Sequence, residues 1–204
     1  MAVTPMSSTS EPMLALPSGA RPRPKHVLPV GVALAGAGGA VGYGALLAAW
    51  VNLRHFNQPW PPRPVVLVNY PGSMLFVTIL MAVVTAQWGT WAARRDLHGQ
   101  SAAGFGFTIG FGLAFLNMLW FFGKDLKMGA NSSPFATLMY ALLAVTGVLA
   151  IVGIGALVTV LARVAARLHP ETTLAAARAV TIYWEFLAVS WTMTTLIVWR
   201  PISF

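Results

Sequence analysis

Glu185 is the single acidic residue well inside an apolar stretch of this sequence, and any chemistry within the chain starts from it. A carboxylate in hydrocarbon is costly unless it is protonated, paired or turned toward a polar interior. Its position therefore implies either a hydrogen-bonded or salt-bridged anchor close to the start of its helix, or a proton- or lipid-headgroup-linked role. Helical spacing sets Arg178, Thr181, Glu185, Thr192 and Thr195 near one stripe, with Ala188 between them. Such a face suits contact with protein rather than with acyl chains. Gln87 and Asn117 are further polar residues within apolar runs, each able to bond across a buried helix interface.

Little else has the makings of a reactive centre. Cysteine is absent, which removes disulfides, haem thioether attachment and thiolate metal ligands. The histidines, His26, His55, His98 and His169, fall in tails or loops and do not form the convergent set that haem or copper ligation needs. No phosphate loop, nucleotide fingerprint or nucleophile elbow is present. The residues therefore predict no catalytic, cofactor-binding or metal site in this chain.

The elements that position Glu185 follow from composition. Of 204 residues, 57% are hydrophobic and 9% charged, too few charges to clothe a water-soluble core. Long apolar runs predict an all-α, polytopic membrane helical bundle with five transmembrane helices, at about 27–51, 70–91, 101–122, 135–161 and 179–199. Residues 1–26, rich in Ser, Thr and Pro and ending in RPRPKH, predict a disordered basic tail. The apolar run that follows the tail is too long for a signal peptide and is expected to remain as the first span. The rest of the chain, 27–204, forms one domain.

The net charge of +8 comes from Lys and Arg at the ends of these runs, as topology signals do, and predicts no nucleic-acid partner. Arg21, Arg23, Lys25, Arg94, Arg95, Arg163, Arg167 and Arg178 share one side; Arg54, Arg63, Lys124, Lys127 and Arg200 share the other. The excess places the amino end in the cytoplasm and the carboxyl end outside. Gly38 with Gly42, and Gly106 with Gly110, have the four-residue spacing that lets helices approach closely; lining a passage is their alternative use. Most tryptophans, among them Trp50, Trp88, Trp91, Trp120 and Trp199, lie toward span ends, where an indole suits the headgroup level. Trp184 and Trp191 share a face.

The order of these segments resembles the haem-copper oxidase subunit III family (cytochrome c or quinol oxidase subunit 3) in a divergent five-helix form. In TIYWEFLAVSW, Tyr183, Trp184, Phe186 and Trp191 match the family pattern, with Glu185 where His is usual and Ala188 where Asp is usual. LLAAWVNLR, WPPRP, VTAQWGTWAARR and GFGLAFLNMLW agree upstream, so the resemblance runs from about Gly38 to Trp199. Thr146 and Gly147 are kept from a fourth-span motif whose histidine positions hold Leu149 and Val152, and Gly39 stands where a Glu is common.

The resemblance implies a non-catalytic accessory subunit of a respiratory terminal oxidase in a bacterial inner or plasma membrane. Its partners would be membrane phospholipids, a catalytic subunit I that holds the haem and copper, and subunit II. It would support oxygen reduction and proton translocation by that partner. Glu185, Trp184, Arg178 and Tyr183 are the residues expected to serve a proton, lipid or assembly role. The residues alone leave two alternatives, a small transporter or channel and a membrane anchor of a different redox complex.

Overall fold

The computed structural model describes residues 27–63, 69–168 and 170–199. The expectations for the tail at 1–26, and for His26, His169 and Arg200, lie outside these residues. Within them the chain is all-α, with α1 (Val27–Phe56), α2 (Asn69–Ala93), α3 (His98–Asp125), α4 (Pro134–Ala165) and α5 (Pro170–Trp199). Each helix contains its expected span and runs past it. Hydropathy marks only the part in hydrocarbon, whereas the backbone stays helical until another group takes over its hydrogen bonds. At α4 that group is Ser133, whose hydroxyl accepts from the Ala136 amide at 3.1 Å with Pro134 opening the first turn.

The largest difference is at α5, which starts at Pro170, nine residues before the expected span. Glu185 is therefore in the middle of a helix of 30 residues and not near its start. The helices α1 to α4 are long and apolar enough to cross a membrane. α5 matches them in length, but its Thr, Ser and charged residues lower its hydropathy below theirs. Packing explains why it tolerates those residues: from Thr173 to Val198 its buried positions include Thr181, Ser190 and Thr194.

Residue pairs give the directions. Thr85 meets Thr108 and Gly89 meets Gly104, so α2 and α3 are antiparallel. Thr181 meets Thr90 and Trp199 meets Gly72, so α5 is antiparallel to α2. Phe186 and Thr194 meet Gly39 and Tyr43, so α5 runs parallel to α1. The arc α2, α3, α4, α1 wraps around α5, which touches every other helix.

The α2 seam shows how the sequence builds this packing. Leu75, Ile79, Ala82 and Ala86 recur at the helical period and are fully buried. Small residues then take over. A Cβ at Gly104 would lie 2.6 Å from the Gly89 Cα, so α2 and α3 touch backbone to backbone. Gly112 and Gly153 make room for Trp184, and Gly36 and Gly39 for Phe186.

These positions correct the expected packing glycines. Among the described residues, nothing beyond the local helix backbone comes within 4 Å of where a Cβ would be at Gly38, Gly42, Gly106 or Gly110. Their four-residue spacing is real, but it points away from the bundle. The tryptophans divide in a similar way. Trp88, Trp91 and Trp120 are exposed near helix ends, with Arg95 over Trp91 and Lys124 over Trp120, as interfacial indoles would be. Trp50, Trp184 and Trp191 are instead among the most deeply buried side chains.

Candidate functional site

The expected site residues all lie on α5 but do not converge, because successive positions on a helix point about 100° apart. Tyr183 faces α4, where its hydroxyl donates to the Leu149 carbonyl at 2.7 Å and its ring covers Gly153. Trp184 is fully buried between Gly112 and Gly153. Its indole N–H has no acceptor, and the space around it is filled by protein. Trp184 thus acts as a core wedge.

Glu185 faces the edge of the seam between α2 and α5, where its Oε1 accepts from Gln87 Nε2 at 3.0 Å. Gln87 does bond across a helix interface, as its position implied, but it is exposed rather than buried. Asn117, also expected to bond across a helix interface, is exposed on α3 and makes no interhelical hydrogen bond among the described residues.

The stripe that includes Glu185 looks at α2 over part of its length. Thr181 and Thr90 share a buried hydroxyl contact at 2.7 Å. Further along, Thr192 and Thr195 donate to the Ala188 and Trp191 carbonyls of their own helix. Arg178 lies two turns from Glu185 with no ion pair between them, and its Nε is buried without a partner.

A second polar centre had no signal in the sequence. The Tyr43 hydroxyl contacts Thr146 Oγ1 at 3.0 Å and Thr194 Oγ1 at 2.7 Å, tying α1, α4 and α5 together in the core. Thr146 and Thr194 also donate to the Leu142 and Ser190 carbonyls. They remain bonded if Tyr43 is removed. Tyr43→Phe is therefore expected to cost only about 0.5–1.5 kcal/mol. A much larger drop in unfolding free energy in detergent would show that the hydroxyls cannot fall back on their own helices.

The amino-terminal half of α1 is largely exposed, with Leu34 69% and Val41 75% exposed. Between α1, α4 and α5 lies a groove of about 320 Å³, lined by Val32, Val152, Ala156, Val180 and Tyr183, with Arg163 at its mouth. As for metals, no three His, Asp or Glu residues converge among the described residues, and His55 and His98 lie at opposite ends of the bundle.

The fold and these contacts define a polytopic membrane protein built as a helical bundle. No protein-family model matches the chain, and no curated protein matches it.

Proposed function

We propose that this chain is a non-catalytic membrane subunit of a respiratory haem-copper terminal oxidase. The observation that carries the reading is how the motif residues meet. Trp184 of the YWEF stretch fills the space over Gly112 of GFGLAFLNMLW, and Trp191 packs edge-on against Phe115 at 5.6 Å. Glu185 bonds Gln87 of VTAQWGTWAARR, and Trp50 of LLAAWVNLR meets Trp60 of WPPRP at 5.1 Å. Trp184 and Trp191, which match the family pattern, thus interlock with a distant segment that agrees with it.

On this reading all five helices cross the membrane, with the amino end cytoplasmic and the carboxyl end outside. The partner subunit would hold the haem and copper and carry out oxygen reduction. This chain would stabilise that subunit and its lipid surroundings, with the groove below Arg163 seating a phospholipid. The departures at Gly39, Leu149 and Val152 are accommodated structurally. Gly39 admits the Phe186 ring, Leu149 offers its carbonyl to Tyr183, and Val152 lines the groove.

Purification in mild detergent tests the assignment. The chain should co-purify with a haem-bearing catalytic subunit, identified by visible spectra and subunit masses. A stable complex without haem and copper would overturn the reading, and a haem partner that does not reduce oxygen would point to a different redox complex. Tags at both ends should be accessible to protease on opposite faces of membrane vesicles. Both ends on one face would exclude five crossings.

A further inference from the structure

The Gln87–Glu185 pair sits on the outside of the bundle, within the hydrocarbon layer. On α2, Leu80, Val84, Gln87 and Trp91 follow the spacing of one helix face, and all four are exposed. Beside them on α5, Glu185 continues into Val189 and Leu196, which are 57% and 42% exposed. Two adjacent ridges thus present a smooth apolar surface with a carboxylate and a carboxamide set into it.

The depth of the pair follows from the helix rise. Gln87 precedes Trp91, the interfacial indole over which the Arg95 guanidinium stacks, by four residues, or about 6 Å at the α-helical rise. The hydrocarbon core is about 30 Å thick, so the pair lies about one helical turn inside its boundary.

At this depth the groups have unmet demands. Gln87 Nε2 donates to one carboxylate oxygen; Glu185 Oε2 and the Gln87 carbonyl oxygen receive no hydrogen bond from the described residues. What remains is mainly acceptor, so the missing partner is a donor. Acyl chains supply none, and leaving such groups unmatched in hydrocarbon costs several kcal/mol, on the order expected for an unpaired polar group. Within the chain, Thr90 and Thr181 are occupied with each other, and Arg178 makes no ion pair with Glu185.

The geometry points to a transmembrane helix of another subunit, seated on the α2/α5 face and carrying a cationic donor, Arg, Lys or protonated His, level with Glu185. A cation would meet the carboxylate and the amide oxygen together, as a charge-assisted pair. The inference rests on the chain having an integral membrane partner, as proposed above, and adds where that partner lies and what it presents.

A photo-cross-linking residue at Val189, compared with one at the equally exposed Val148 of α4, tests this in the chain's native membrane. Sequencing of the cross-linked peptide at Val189 should show a transmembrane segment of a different protein with a basic residue. Glu185→Gln keeps the shape of the side chain and should lower that yield about tenfold, the scale of one charge-assisted hydrogen bond. Should Glu185→Gln fail to accumulate, Glu185→Lys paired with an acidic substitution at the partner's basic residue should restore the cross-link.

Cross-links at Val189 only to lipid, to a second copy of this chain, or to a segment without a basic residue would overturn the inference. Cross-links to a haem-bearing subunit at Val148 but not at Val189 would also overturn it, while leaving the oxidase assignment standing. A basic segment at Val189 from a protein without haem would do the reverse.

Discussion

Gly104→Val will force α2 and α3 apart. A Cβ at this position would lie 2.6 Å from the Gly89 Cα, 2.7 Å from its amide nitrogen and 3.1 Å from the Thr85 carbonyl oxygen. All three are backbone atoms, so no side-chain rotation can relieve the overlap. The helices must separate, and the 2.9 Å contact between Thr85 and Thr108 beside them is lost with the fit. Overpacking typically costs about 1–3 kcal/mol, and a clash made wholly with backbone belongs at the upper end of that range.

Gly106→Ala is the control. Its Cβ enters open space, and alanine is the better helix former by about 1 kcal/mol, so stability should hold or rise slightly. Thermal or denaturant midpoints in detergent would compare the two. Equal midpoints for Gly104→Val and Gly106→Ala would mean that the α2/α3 contact is not as described.

Trp184→Ala removes the largest wedge from the centre of the bundle and should cost about 3–5 kcal/mol, the usual range for deleting a large buried aromatic. The side chain is fully buried and spans from Gly112 on α3 to Gly153 on α4. Neither glycine can grow to fill the void without a second change. That dependence provides a sharper test than the single variant. Gly112→Ala places a methyl 2.8 Å from the indole Cη2 and should destabilise the native protein; with Trp184→Phe the same methyl has more room and the penalty should shrink. Additive effects of the two changes would show that Trp184 and Gly112 are not in contact.

The helices were legible in the sequence because they coincide with long apolar runs, and the ends of two were marked by Trp91 with Arg95 and by Trp120 with Lys124. Faces were much harder to read. Gly38 with Gly42 has the spacing of a packing pair, yet the close approach uses Gly89 of α2 and Gly104 of α3. A bilayer makes the outside of a helix as apolar as the inside, so the contrast that reveals the buried face of a soluble helix is missing.

The same uniformity hid the core tryptophans. Trp50 lies near a span end, and only the folded bundle shows it boxed in by Trp60 and Phe135. Glu185 stands out in the sequence by its charge, but its place along the helix does not, because Arg178 and Glu171 pull down the hydropathy of a helix that begins at Pro170. The Tyr43, Thr146 and Thr194 contact joins residues 103 and 151 positions apart, with no local pattern to announce it.

The central place of α5 bears on how the protein is made. It is the last of the five helices to leave the ribosome and the one least suited to enter lipid unaided. α1 to α4 can each partition into the bilayer on their own hydropathy, while the hydroxyls and charges of α5 gain partners only once the other four surround it. Assembly therefore waits on its final step: until α5 arrives, α1 lacks its principal neighbour, and the hydroxyls of Tyr43 and Thr90 have nothing on that helix to hold.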